Sequence, residues 1–273
     1  MKRIIQISVL AISVFISTVQ SQDPKSDIST SLGNLFSRLA ASREDQERIL
    51  INDSLKFFID SYAASDTAFT HKFTNLRNLG QITSPGSQLK IITWNLLLDS
   101  SSSRYYCYFI HRSGKKSTVN KLEGTYSEEP ILTDKVYSEK DWYGALYYDF
   151  REFRKDKETY WALLGIDYGN PSITRKVVDL LSFTPDGKII FGKKLFVSGN
   201  VSKYREVLEY STEAVVSLKF FKDKSIVFDH LVPVTPALKG KKEYYVPDYS
   251  YDAYDLEKGM WRFKTDVDMR NRK

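Results

Sequence analysis

Cysteine and histidine are nearly absent from this chain. Among 273 residues Cys107 is the only cysteine, and His71, His111 and His230 are the only histidines. A single cysteine excludes an internal disulfide framework. Three scattered histidines leave little material for a His-rich metal centre or a Ser-His-Asp relay. The chain also lacks a glycine-rich phosphate loop, a nucleophile elbow and the His-Glu-x-x-His pattern. No catalytic residue, metal or cofactor is therefore expected. Cys107 itself sits in Arg104-Tyr-Tyr-Cys-Tyr-Phe-Ile-His111, a segment apolar on both strand faces, which predicts a buried, inert thiol rather than a nucleophile.

Charge of one sign is scarce too. Forty basic against 34 acidic residues give a net charge of +6. That is too mild and too evenly spread for a nucleic-acid partner. The densest basic runs, Lys115-Lys116 and Lys241-Lys242, stand beside Gly114 and Gly240 in expected turns. Past the N-terminus no apolar run is long enough to cross a bilayer as a helix.

What is present begins with a leader. Lys2 and Arg3 precede the apolar run Ile4 to Val14, and Val19-Gln20-Ser21 supplies small residues at the cleavage spacing. Residues 1–21 are expected to be a signal peptide, with no transmembrane segment left after cleavage. Residues 22–82 read as a helical N-terminal segment. Leu32, Leu35 and Leu39 lie at helical spacing, Ser42 stands as an N-cap before Glu44 and Asp45, and Ile51, Leu55, Phe58 and Tyr62 form a second stripe. A third helix is expected over 66–79, with Phe69, Phe73 and Leu76 on one side and Gly80 as its stop.

Residues 83–273 read as an antiparallel β domain, which makes the whole an α+β protein: N-terminal helices, then a large β meander, curved or folded over. A small propeller is the alternative. The aromatic content of 14% suits pleated surfaces. The central hairpin is expected over 144–153 and 158–167 with a turn at Arg154 to Lys157. In its first strand Leu146, Tyr148 and Phe150 share a face; in its second Tyr160, Ala162, Leu164 and Ile166 oppose Trp161 and Leu163, as in a strand covered on both sides. Further strands are expected at 89–98, 104–112, 177–183, 188–196, 204–210, 214–221 and 226–231, with Thr184-Pro-Asp-Gly187 as a tight turn and a last strand carrying Trp261 and Phe263. The Ser- and Glu-rich stretch 117–140 reads as irregular.

Two stretches carry candidate chemistry. In Val227-Phe-Asp-His-Leu231, Asp229 and His230 are adjacent on a strand, so only a bulge can bring both to one pocket. The stretch Tyr244 to Asp255 interleaves tyrosines with carboxylates and reads as a loop. Its Tyr244, Asp248, Tyr251 and Asp252 could stack on sugar rings and accept hydroxyl hydrogen bonds, hold a hard cation, or cap turns. Trp142 and Tyr143, at the start of the central hairpin, are expected to reach a surface. The expected function is that of a non-enzymatic binding or scaffold protein with a glycan or cell-envelope component as partner. The alternative is a polysaccharide hydrolase using two of Asp229, Asp248, Asp252 and Asp255 as a carboxylate pair.

Several motifs stand together in order: Trp142-Tyr-Gly-Ala-Leu-Tyr-Tyr148, Leu163-Leu-Gly165, Glu209-Tyr-Ser211, Val227 to Leu231, Pro247-Asp248, Tyr251-Asp252 and Asp266-Val-Asp-x-Arg-Asn271. In this the chain resembles uncharacterised secreted proteins of Bacteroidota, over about Leu89 to Asn271. The resemblance carries no activity or site role. It implies export in a bacterium with two membranes, to the periplasm or beyond.

Overall fold

The computed structural model describes residues 24–99, 103–114, 116–169 and 171–270. The expected leader at 1–21 and Asn271 of the closing motif lie outside them. The described chain stacks four layers: a pair of helices and three β-sheets.

The helices come first, α1 (Pro24–Ala41) and α2 (Asp45–Ala63). Glu44, not Ser42, occupies the cap position of α2, and its side chain caps nothing; the Ser42 hydroxyl instead donates to Glu47 Oε2 at 2.8 Å. The stripe Ile51, Leu55, Ile59 and Tyr62 is buried. The third helix does not form: 64–79 is a series of turns. Thr67, Thr70, Thr74, Asn75 and Asn78 are poor helix formers that bond locally, as Thr70 does to the Thr67 carbonyl. Phe69, Phe73, Leu76 and Leu79 are nevertheless buried among the helices. Gly80 opens a strand rather than ending a helix.

The first sheet runs β1 (Gly80–Thr83), β2 (Leu89–Leu96), β3 (Arg104–Ser113), β4 (Lys116–Thr125), all antiparallel. Its two faces sort strictly by parity. Ile92, Trp94, Leu96, Tyr106, Tyr108 and Ile110 pack on the helices; Leu89, Ile91, Tyr105, Cys107 and Phe109 pack the other way. Trp94 Nε1 donates to Asn52 Oδ1 at 2.8 Å, tying β2 to α2.

The second sheet holds β5 (Tyr137–Ser138), β6 (Leu146–Lys155), β7 (Glu158–Asp167), β8 (Ile173–Phe183) and β9 (Ile189–Phe191), with β12 (Glu206–Ser211) alongside β8. As expected for a two-faced strand, Trp161 and Leu163 face the first sheet, and Ala162 and Leu164 face the third. The first hairpin strand departs from simple alternation. A register shift between Tyr147 and Asp149 buries Tyr147 and leaves Tyr148 exposed. The turn Asp156-Lys157 takes positive φ at both residues, the backbone that closes a two-residue hairpin.

The third sheet comprises β10 (Phe196–Ser198), β11 (Val201–Lys203), β13 (Leu218–Phe221), β14 (Ser225–Pro233), β15 (Tyr245–Glu257) and β16 (Met260–Lys264), in the order β11-β10-β16-β15-β14-β13. β10 and β16 pair in parallel; every other pairing is antiparallel. The expected loop 244–255 is therefore largely a strand, and the irregular stretch 117–140 begins with β4. No propeller closes among the described residues; the sheets stack face to face. Cys107 is fully buried, and burial pushes its thiol pKa up, as expected of an inert core cysteine.

Candidate functional site

The register of β14 and β15 breaks at one place. Asp229 pairs with Tyr251 and Leu231 with Pro247, so His230 alone stands opposite Asp248, Tyr249 and Ser250. Tyr249 is at φ 70° and almost wholly exposed. Asp248 folds this extra length into a turn, accepting from Ser250 N at 3.0 Å and Ser250 Oγ at 2.7 Å; those hydrogen bonds hold its carboxyl below the usual range. The extra residues lie in β15, so this is not the bulge within β14 that would turn Asp229 and His230 to one side.

Asp252 pairs with Phe228, so strand alternation places His230, two residues on, diagonally beside Asp252 on the same face. His230 Nδ1 lies 2.8 Å from Asp252 Oδ2, and the carboxylate is buried while the imidazole side chain is 38% exposed. The Asp252 hydrogen bond raises the His230 pKa, with Asp248 and Asp266 adding to it. The other ring nitrogen makes no hydrogen bond to another described residue. A hollow of about 220 Å³ opens beside this pair, between the third sheet and β12. Glu206, Lys203, Lys242, Tyr245, Tyr254 and Phe263 join His230 and Asp252 around it. Tyr254 donates its hydroxyl to the Glu206 carboxylate, and burial, then Glu206, pushes its pKa up. Lys203 Nζ holds the same carboxylate at 2.9 Å. Lys242 Nζ lies 4.5 Å from the Tyr245 ring centre.

Three of the eight expected binding residues, Asp229, His230 and Asp252, thus line one hollow. Asp229 is tied down: its Oδ2 accepts from Ser217 N at 2.6 Å. Tyr244, 43% exposed in a short turn, Asp248 and Tyr251 lie outside the lining. The expectation for Trp142 and Tyr143 is overturned. Trp142 is buried, with its Nε1 donating to Tyr147 Oη at 3.0 Å, and Tyr143 is half-buried, donating to Asp179 at 2.9 Å. Trp142 belongs to the core between the first two sheets, and Tyr143 packs against that core.

The four carboxylates of the hydrolase alternative each have a partner. Asp229 holds Ser217, Asp248 holds Ser250, Asp252 holds His230, and Asp255 accepts from Ser225 Oγ at 2.6 Å. Ser198 also lines the hollow, but β10 and β15 are separated by β16, about 10 Å across the sheet, so Ser198 is out of reach of a relay with His230 and Asp252. Among the described residues no group of His, Cys, Asp and Glu could hold a metal ion.

Sequence reasoning missed Lys203 and Glu206, whose stretches show no motif, took Lys242 only as part of a basic turn, and missed a larger cleft of about 1100 Å³ elsewhere. There His111 stacks on Phe183 at 4.0 Å, Trp161 stands edge-on to both, and Lys193 pairs with Glu158 at 2.5 Å. The Thr184-Pro-Asp-Gly187 turn at its rim was legible; that it faces His111 was not. In comparisons with protein families, curated proteins and solved structures, nothing matches this chain.

Proposed function

We propose that this protein is an exported, non-enzymatic binding protein of the periplasm or cell envelope, and that its ligand is a saccharide held beside His230 and Asp252. One observation carries the reading: charged groups, hydroxyl groups and aromatic rings from β11, β12, β14, β15 and β16 stand around a hollow of about 220 Å³, room for a single sugar ring. Glu206, Asp252 and Tyr245 suit hydroxyl groups, and Phe263 offers an apolar surface to a ring's C–H face. Such a site orients a ligand by hydrogen bonds and needs no nucleophile. The apparent leader and the resemblance to secreted Bacteroidota proteins support export.

The test is a thermal-shift screen of the chain lacking 1–21 against monosaccharides and short glycans. Ligand at about 100 times Kd contributes about 2.7 kcal/mol, a rise of several degrees for a domain of this size. The rise is expected to vanish in Asp252→Asn and to persist in Asp248→Ala, whose carboxylate lies outside the hollow. An equal rise in Asp252→Asn, or none for any saccharide, would remove the site. Release of reducing ends from a polysaccharide would instead favour the carboxylate-pair hydrolase.

A further inference from the structure

A third hollow, separate from the two above, lies where the open edges of the first two sheets meet the helices. β1 and β6 are the terminal strands of their sheets, and the cleft between them, roofed by α1, encloses about 780 Å³. That volume lies within the range of pockets that enclose a whole small ligand. An apolar stretch of its wall is made by Phe36 and Leu39 from α1, Ile82 from β1, Leu146 from β6 and Ile166 from β7. Around it stand Leu97, Tyr148 and Tyr168, which are 58%, 38% and 51% exposed. These partly exposed side chains extend the apolar stretch at the mouth of the cleft.

The charges of the cleft are of one sign. Arg48, Lys72 and Arg77 line it, and no Asp or Glu does. Arg48 is engaged by Asp99 at 2.9 Å. Lys72 and Arg77 make no ion pair or hydrogen bond to another described residue. Lys72 also lies close enough to the buried Lys90 to disfavour its charge. An apolar stretch of wall beside two unpaired cations complements a molecule with an apolar tail and an anionic head. A neutral apolar ligand would leave the cations unused, and a polar anion would leave the walls wet.

We propose that this cleft binds a single-chain amphiphilic anion, its tail along Phe36, Leu39, Leu146 and Ile166 and its carboxylate or phosphate head at Lys72 and Arg77. This stands independently of the saccharide reading. The probes are laurate and dodecyl phosphate, which differ in head, with uncharged dodecyl tetraethylene-glycol ether and dodecyltrimethylammonium as comparisons, all below their micelle thresholds and followed by calorimetry. At least one of the two anions is expected to bind, and to bind at least about tenfold more tightly than the uncharged and cationic probes, with affinity falling as salt rises. The double variant Lys72→Gln/Arg77→Gln, whose changes are on exposed side chains, is expected to lose about tenfold for the anion and nothing for the uncharged probe. Leu146→Asp should abolish both, with circular dichroism reporting that the fold is kept, and Asp252→Asn should bind the anion as the parent does. Failure of both anions to bind, equal binding of the uncharged probe, or an unchanged affinity in the double variant would overturn the proposal.

Discussion

Lys90 is a buried amine with no carboxylate. Its Nζ donates to Tyr62 Oη and to the His71 carbonyl, both at 2.7 Å, in the layer between the helices and the first sheet. Burial, with a contribution from Lys72, pushes its pKa down to about 8. The unfolded chain, near the ordinary lysine value, then binds more protons than the folded one above pH 8, so stability from this group rises with pH in that window. Tyr62, pushed up to about 12 by burial, acts in the opposite sense only above its ordinary value of 10. Lys90→Met should therefore keep or raise stability at pH 7 and erase a gain on the order of 2 kcal/mol between pH 8 and 10. Denaturant titrations of both proteins at pH 7, 8, 9 and 10 would read this. A loss of about 2 kcal/mol at pH 7 would mean the amine's hydrogen bonds outweigh its desolvation. Nothing in the sequence marked Lys90, because a lysine flanked by Leu89 and Ile91 looks like the solvent face of an alternating strand. Cys107 was legible for the opposite reason: its neighbours on both sides are apolar.

Elements were legible where both faces of a strand are apolar or a turn has its own chemistry. β7 fell where expected, from Glu158 to Asp167, and Thr184 to Gly187 turns as its Asp-Gly predicts. β4 escaped because it is the outer strand of its sheet and carries polar and charged side chains there. β15 escaped because Pro247 and three aspartates look like a loop; the break at Asp248 to Ser250 is real, but the strand resumes beyond it. The connection between β11 and β12 holds the least legible feature. Arg205 is fully buried, its Nε 2.8 Å from Asp179 Oδ2 on β8, and it donates to the Leu132, Lys135 and Phe191 carbonyls. Burial raises the Asp179 pKa against the lowering by Arg205. Gly192, at φ 95°, leaves room for the guanidinium: a Cβ there would stand 2.6 Å from Arg205 Nη2. Arg205→Leu should cost about 3–5 kcal/mol by stranding Asp179, and Arg205→Leu/Asp179→Leu should recover part of that loss. Urea midpoints of the two variants would check it. A double variant no more stable than the single would show that the bonds from Arg205 to the 132–135 loop, rather than the ion pair, hold β12 in place.

At the scale of the molecule, period-two patterns say which residues share a face but not which sheet the face meets. That is why an α+β chain with mostly antiparallel strands could be read while the stacking of three sheets could not. The stack has a consequence for function. Its middle sheet is covered on both sides, and three hollows among the described residues lie where layers part: beside β12, beside β1 and β6, and at the His111 end. Two of the three histidines stand in separate hollows, His230 in the first and His111 in the last, while His71 lies next to Lys90. His230 and His111 therefore report occupancy of the two hollows they line. The His230 pKa is raised by Asp252, so the stability that this pair contributes is present below the ordinary histidine value of 6.5 and lost as pH rises through the raised one. A nitrogen-15 histidine ring spectrum, recorded with and without the saccharide that gives the largest thermal shift, puts the account to its most direct test. His230 ring signals should move and its raised pKa should change, with His71 and His111 still. Movement of His111 instead, or of none of the three, would contradict the assignment of the ligand to His230 and Asp252.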